Sequence, residues 1–235
     1  MKSLEEPSGK VIGLFVGEVK NLWPGKPPSA INKQAVEGLL AIGKQGFLKD
    51  QQADLTVHGG PEKAIHHYAS EHMAFWQAEF PQVSEKFKPG CFGENISSTG
   101  LTEDNLCIGD VLSIGSAKVQ VCQGRQPCWK LSEHLGLPIL ANKFQITAKT
   151  GWYYRVIETG KVQTGDSIQL LDRLHPELTI RTVTQARFNP RANNELVSKL
   201  LELNELSESW RSAFAKKASK ISEKTDERLF GRPSE

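Results

Sequence analysis

Val119–Leu131, with the sequence VQVCQGRQPCWKL, combines a strand pattern, a turn and the start of a helix in thirteen residues. Its valines alternate with polar residues, which predicts a half-buried strand that breaks at Gln123-Gly124. Pro127 then predicts the start of a helix, because a proline at the first helical position loses no intrahelical hydrogen bond. The stretch therefore places Cys128 in the first turn of this helix.

Cys128 is the first candidate for chemistry. The first turn of a helix presents backbone N–H groups at the positive end of the helix dipole, and Arg125 and Lys130 add positive charge on either side. These surroundings favour a thiolate, the form of cysteine that attacks substrates or binds soft metals. Burial as a small apolar residue is the competing interpretation for Cys128, and it is the preferred one for Cys122, which ends a strand.

Composition narrows the class of protein. A chain of 235 residues suits one large domain or a domain with a small appendage, and a net charge of +2 does not by itself indicate nucleic-acid binding. The four cysteines include no CxxC pair, and the first residues lack the apolar segment of a secretion signal. No apolar run approaches the ~20 residues of a membrane span. We therefore expect a cytoplasmic protein with reduced thiols and no membrane insertion.

The hydrophobic pattern of the sequence changes at about Pro176, from alternation to helical periodicity. Up to residue 171, short alternating segments are separated by turns, and Gly109-Asp110 recurs as Gly165-Asp166, which suggests the corners of a barrel. Gly115-Ser116 suits a type II′ hairpin turn. The predicted fold is mainly β with helical additions (α+β): a curved or closed β-barrel in residues 1–175, followed by residues 176–235 as a small three-helix domain with a charged tail.

The helical segment raises the question of nucleic-acid binding. Its leucines fall on one helical face, and it carries many lysines and arginines. Glu195, Glu202 and Glu205 interleave with these bases, so no face of a single sign is evident. The pattern argues against a nucleic-acid partner and favours a role in docking or in covering the barrel.

Several other polar residues are candidates for ligand binding. Lys26 and Ser29 lie in a proline-rich loop and could bind an anion if the fold brings that loop near Cys128. His58-Gly59-Gly60 suits either a close backbone approach to a ligand or a tight turn, and the turn is preferred. The spacing of His66, His67 and His72 matches neither HExxH nor a zinc finger, which argues against a zinc site.

Five short motifs, in order over residues 10–171, resemble the MOSC domain proteins, named after the C-terminal domain of molybdenum cofactor sulfurase. They are Gly25–Ile31 (GKPPSAI), Val57–Ala64 (VHGGPEKA), Phe92–Ile96 (FGENI), Ile108–Asp110 (IGD) and Arg125–Leu131 (RQPCWKL). The helical segment resembles the small C-terminal domain of the bacterial YiiM-like branch. The resemblance implies a β-barrel that binds the molybdenum cofactor (molybdopterin), with Cys128 as the catalytic residue and the protein ligand to molybdenum.

The resemblance also implies which residues hold the cofactor. A molybdenum dithiolene accepts a soft thiolate, and a phosphate tail needs basic or backbone N–H donors. In the mitochondrial relatives an arginine stands next to the cysteine, whereas here it precedes the cysteine by three residues. The candidates at the matching positions are Lys26, Ser29, His58, Gly59, Gly60, Asn95 and Arg125.

Relatives in mitochondria and bacteria resemble reductases of N-hydroxylated compounds, such as amidoximes and hydroxylaminopurines, a chemistry that detoxifies base analogues. The resemblance thus implies a small-molecule N-hydroxylated substrate. No flavin, haem or iron–sulfur motif is visible in the sequence, so a separate flavoprotein is the expected electron donor. The alternative is a carrier, in which Cys128 holds the cofactor or a persulfide for delivery without turnover. Both functions need the same cysteine and anion pocket, so the sequence leaves them open.

Overall fold

The computed structural model describes residues 6–55, 57–189, 191–221 and 225–231. Its strands are β1 (Ser8–Val16), β2 (Gln34–Ala35), β3 (Leu40–Gly43), β4 (Gly46–Phe47), β5 (Ile65–Ala69), β6 (Ile96–Thr99), β7 (Val111–Ile114), β8 (Ala117–Gly124), β9 (Trp152–Glu158), β10 (Gly160–Val162) and β11 (Ser167–Asp172). Its α-helices are α1 (His72–Glu79), α2 (Trp129–Leu135), α3 (Leu140–Thr147), α4 (Ile180–Phe188), α5 (Asn194–Glu202), α6 (Glu208–Ala218) and α7 (Thr225–Phe230). Two 3-10 helices span Pro61–Lys63 and Pro81–Lys86.

Seven strands close into a barrel. They follow the order β1-β11-β7-β8-β9-β5-β6, and β6 pairs with β1 again. The pairs are antiparallel except β5 and β6, which run parallel with His67 beside Ile96. Closure gives each of the seven strands a hydrogen-bonded neighbour on both sides, which removes the sheet edges. The predicted closed β-barrel with added helices is confirmed.

Strand β8 carries the stretch that predicted the fold. Gly115 has a φ of 57°, as the first position of a type II′ turn requires, and it joins β7 to β8 with Ile114 beside Ala117. Val119 and Val121 are fully buried, in agreement with the predicted alternation. From Cys122 onward every residue of the strand is buried, because helices cover its outer face.

The strand-to-helix junction differs from the prediction in one respect. Cys128, not Pro127, borders the helix: it is the N-cap of α2, with an extended φ of −138° and ψ of 168°. The extended path continues past the strand because the Arg125 N–H still donates to the Gly151 carbonyl at 3.0 Å. The proline therefore lies outside the helix, and the cysteine occupies its boundary.

The C-terminal helices pack directly on the barrel. Leu200, Trp210 and Phe214 are buried in the same hydrophobic cluster as Val119 and Val121 of β8. A Cβ atom on Gly124 would lie 3.0 Å from the Trp210 ring, so only glycine permits this approach without movement of the neighbours. The apolar core is thus continuous between the barrel and these helices.

A second cluster lies beside the barrel. It is built from aromatic rings, with Trp76 stacked on Phe144 at 4.6 Å between centroids and Phe92 edge-on to Phe144 at 4.7 Å. This cluster anchors α2 and α3, and α7 packs against both of these helices. Within the described parts of the chain, we find no helix with the length and apolarity to cross a membrane.

Candidate functional site

Cys128 lies where two clefts meet. The inner cleft, of about 90 Å³, is lined by residues of the loops that follow β1 and β4 and by Asn95, Arg125 and Lys130. The outer cleft, of about 480 Å³, opens between the barrel and helices α6 and α7. Five residues line both of them: His58, Lys63, Arg125, Cys128 and Tyr153. The Cys128 Sγ atom is 3.7 Å from His58 Nε2.

The inner cleft is rich in basic side chains. Four of them, Lys33, Lys63, Arg125 and Lys130, line it against the single carboxylate of Asp50 among the described lining residues. An anion entering this cleft would therefore meet an excess of positive charge.

The cations near Cys128 are held by backbone carbonyls. Arg125 Nη1 donates to the Phe92 carbonyl at 2.7 Å, and Lys130 Nζ donates to the Pro28 carbonyl at 3.0 Å. An arginine has five N–H donors and a lysine three, so each group keeps donors for a ligand. The fold therefore fixes the positions of these charges without exhausting them.

His58 stands at the rim of both clefts. Desolvation, with repulsion from Lys130 and Lys63, lowers the pKa of His58 to about 4. More than a third of the residue surface is exposed, so solvent screens part of the repulsion from these lysines. At neutral pH the imidazole is uncharged and can accept a hydrogen bond from the Cys128 thiol.

A buried ion pair forms the base of the inner cleft. Lys33 Nζ lies 2.5 Å from Asp50 Oδ1, and the two side chains are only 8% and 4% exposed. Asp50 also accepts from the Gly17 N–H and from Asn95 Nδ2 at 2.8 Å. Burial lowers the pKa of Lys33, although the neighbouring Asp50 opposes that shift. The sequence does not indicate this pair, because isolated charged residues in separate loops give no local signal.

Asn95 reaches the inner cleft, but its amide already has partners. Its Oδ1 accepts from the His66 N–H at 3.0 Å, and its Nδ2 donates to the Phe15 carbonyl as well as to Asp50. It ties β5, β1 and the Asp50 loop together. Asn95 thus shapes the cleft through the backbone and through Asp50.

The structure brings together five of the predicted site residues and separates three. Ser29, His58, Asn95, Arg125 and Cys128 all line the inner cleft. Lys26 pairs with Glu133 at 2.7 Å and lies over the Trp129 ring, outside the described lining of both clefts. Gly59 and Gly60 line a neighbouring surface groove that also contains Ser212.

Cys122 contrasts with Cys128. It is fully buried, and its Sγ lies 3.0 Å from the Glu62 carbonyl and 3.5 Å from the Tyr153 carbonyl. Burial raises the pKa of the Cys122 thiol to about 12. Cys122 is therefore a packing residue, as its place at the end of a strand predicted.

His67 of β5 and His72 of α1 bind other side chains. His67 bonds to Tyr154 Oη at 2.9 Å and to Ser98 Oγ at 2.6 Å. His72 Nε2 pairs with Glu103 at 2.5 Å. Among the described residues, no group of three or more histidine, cysteine or acidic side chains is arranged to hold a metal ion.

A closed barrel with a half-exposed cysteine in a basic cleft defines the class of this protein. Residues 54–169 match the MOSC domain, and the chain belongs to the MOSC domain family. Residues 178–220 match the YiiM-like, 3-alpha helix domain, which places the chain in the YiiM-like branch. Membership indicates a role connected with the molybdenum cofactor.

Known proteins resemble this chain over most of its length. Protein YiiM of Escherichia coli (strain K12) is 36% identical, with 94% of this chain and 98% of that protein covered. The crystal structure of YiiM from Escherichia coli superposes with a TM-score of 0.78 at 31% identity, covering 94% of this chain and 99% of that one. A protein of Gibberella moniliformis named "Reductase" is 34% identical over 84% of this chain, which spans only 35% of that longer protein.

Proposed function

We propose that this protein is a molybdenum-cofactor-dependent oxidoreductase that reduces N-hydroxylated compounds to amines. Family membership and the relative named "Reductase" support an oxidoreductase role. The observation that carries the proposal is the partly exposed Cys128 thiol, which lies where two clefts meet, in a lining that includes Lys63, Arg125 and Lys130.

The residues at this site fit the cofactor. A cysteine sulfur is the soft ligand that molybdenum accepts, and the basic inner cleft suits the anionic end of a phosphorylated pterin. Lys63, Arg125 and Lys130 would hold that anionic end through their remaining N–H donors, and Cys128 would bind the metal. The outer cleft leaves space for a substrate on the opposite side of Cys128.

When bound, the cofactor supplies the two electrons that break an N–O bond. The overall reaction converts an N–OH group, two electrons and two protons into an N–H group and water. Neutral His58 can accept a proton or a hydrogen bond beside Cys128. Burial raises the pKa of Tyr153, so its phenol stays protonated and can donate to a ligand in either cleft.

Electrons must reach the site from outside this chain under the proposal. The sequence carries no motif for a flavin, haem or iron–sulfur cluster, so a separate flavoprotein is the proposed donor. The partner would approach from the solvent side, where Cys128 is half-exposed.

The test is purification from a host that makes the molybdenum cofactor, followed by elemental analysis and an assay. We expect near-stoichiometric molybdenum, and reduction of benzamidoxime when a flavoprotein donor and NADH are supplied. Molybdenum without turnover across several donors would instead support the carrier function. A protein that folds normally but contains no molybdenum would overturn the proposal.

A further inference from the structure

His66 and His67 are neighbours on β5, and their side chains leave the strand on opposite faces. Both ring nitrogens of His67 have partners, Tyr154 Oη at 2.9 Å and Ser98 Oγ at 2.6 Å. His66 instead stacks on Tyr153 of the paired strand β9, with 4.9 Å between ring centroids, and lines the inner cleft. One histidine thus belongs to a complete polar cluster, and the other faces the cleft.

The His66 side chain has a hydrogen-bonding atom that the fold does not use. The residue is only 3% exposed, and its Nε2 is buried without a hydrogen-bond partner among the described residues. A buried polar atom without a partner costs free energy, so native structures keep few of them. In the described lining of the inner cleft, His66 is the one residue with such an atom. A ligand in the cleft would supply the missing partner.

The free nitrogen lies beside the segment that carries Arg125. A Cβ atom on Gly151 would be 2.9 Å from His66 Nε2, and the Gly151 carbonyl accepts the Arg125 N–H at 3.0 Å. Burial first, and the charge of Arg125 second, lower the pKa of His66 well below its usual value. Without a ligand, His66 is therefore uncharged at neutral pH.

The size and charge of the inner cleft suit a compact anion. Its volume of about 90 Å³ is below the range of sites that enclose a whole organic ligand, and it suits a group of the size of a phosphate. Lys63, Arg125 and Lys130 each donate to one backbone carbonyl and keep further N–H donors. A bound anion also favours a proton on Nε2, because nearby negative charge stabilises the protonated form of a histidine.

We propose that His66 is an anion-binding residue of the inner cleft, whose Nε2 donates a hydrogen bond to an oxygen of a phosphate group. Lys63, Arg125 and Lys130 supply charge from loops and from a helix, whereas His66 supplies a directional contact from a barrel strand. The identity of this phosphate as the anionic end of the cofactor rests on the proposed function. The binding of free phosphate does not.

The first experiment observes both histidines in one sample of cofactor-free protein. Nitrogen-15 NMR follows the imidazole nitrogens at neutral pH while inorganic phosphate is added, with sodium chloride of equal ionic strength as the control. The peaks that disappear in His66→Gln identify His66. Phosphate should move the His66 Nε2 resonance to the position of a protonated, hydrogen-bonded nitrogen and leave both nitrogens of His67 unchanged.

Two outcomes of this titration would overturn the inference. One is that calorimetry detects no binding of phosphate to the parent protein. The other is that phosphate binds but does not move the His66 resonance more than sodium chloride does, since the anion would then bind elsewhere. The adjacent His67 provides the internal control, because a general change in the barrel would move the resonances of both histidines.

Substitutions separate binding from packing. His66→Phe keeps a ring against Tyr153 and removes a buried atom without a partner, so it should unfold at a temperature no lower than that of the parent. It should bind phosphate at least about tenfold more weakly, the effect of losing one hydrogen bond to a charged group. His66→Gln, whose amide can still donate, should recover part of the affinity. Affinity equal to that of the parent in folded His66→Phe would overturn the assignment.

Cofactor-loaded protein relates this inference to the proposed function. On dialysis, His66→Phe should lose molybdenum about tenfold faster than the parent, and metal analysis of timed samples gives both rates. A protein that binds phosphate through His66 but never acquires molybdenum would leave the inference intact and count against the proposed function.

Discussion

Cys122 and Cys128 lie close together in the sequence but in opposite surroundings. Cys122 belongs to a barrel strand that is hydrogen-bonded on both sides and covered by helices, so its thiol is enclosed. Cys128 lies just beyond, where the chain leaves the barrel and contacts His58. The carbonyl of its neighbour Pro127 accepts from Arg228. The contrast shows that contacts with distant parts of the chain, in addition to the neighbouring Arg125 and Lys130, create the surroundings of Cys128.

The largest difference should appear when each cysteine is replaced by serine. Cys128→Ser should abolish molybdenum retention and turnover, because a hydroxyl is similar in size but a poor ligand for a soft metal. Cys122→Ser should keep both, at a cost of about 1 kcal/mol in the free energy of unfolding. Elemental analysis and urea denaturation measure the two effects. Equal loss of molybdenum from both folded variants would contradict the assignment of metal binding to Cys128 alone.

Chemical labelling compares the accessibility of the cysteine thiols and needs no cofactor. Cys91, Cys107 and Cys122 are buried, so they should react only when the structure opens locally. Native Cys128 should react with iodoacetamide at least on the order of 100-fold faster than these three, since protection follows the free energy of opening. Peptide mass spectrometry after a timed quench gives the four rates. Comparable labelling of Cys122 and Cys128 would show that the strand end is less enclosed than described.

A matched pair of lysines tests the charge around Cys128. Lys26 and Lys130 both lie near the Trp129 ring, but only Lys130 lines the inner cleft. Lys130→Met should weaken cofactor retention by about one to two decades, the worth of a charge-assisted hydrogen bond of ~1.5–3 kcal/mol. Lys26→Met should change it far less, and dialysis followed by metal analysis compares them. A larger effect at Lys26 would indicate that the anionic end of the cofactor binds at the proline-rich loop and not in the inner cleft.

The smallest expected effect is on the titration of His58. Burial is the main cause of its lowered pKa and Lys130 the second, so Lys130→Met should raise the pKa of His58 while keeping it below 6.5. A histidine with a lowered folded-state pKa destabilises the fold as the pH falls below its unfolded value. The parent should therefore lose stability between pH 6.5 and about 4, and the variant should lose less. Proton NMR of the histidine rings follows the titration, and an unchanged pKa would place Lys130 away from His58.

The features that local sequence patterns encode could be predicted from the sequence alone. Alternation at Val119 and Val121 predicted strand β8, and the order of the five motifs predicted the closed barrel and its family. Cys128 was identified because a strand, a proline and two basic residues surround it within a few positions. The helix boundary was misplaced by the proline, since a backbone bond from Arg125 to Gly151 extends the strand path beyond Gly124.

Features that depend on distant contacts could not be predicted. Lys33 and Asp50 come from separate loops, and their pairing exists only once β1 and the Asp50 loop meet Asn95. The contribution of Trp210 to the outer cleft required the position of α6 on the barrel. Its apolar ring in a helical pattern indicated only a core residue.

The hydrogen bond from Arg228 to the Pro127 carbonyl has a consequence for the order of assembly. During synthesis the barrel strands leave the ribosome first, and a chain grows at about 5–20 residues per second. The contact that fixes the residue beside Cys128 forms only after residue 228 has emerged, which is after all seven barrel strands. Under the proposed function, cofactor insertion would therefore follow synthesis of the last helix, which sets the moment at which the site becomes competent.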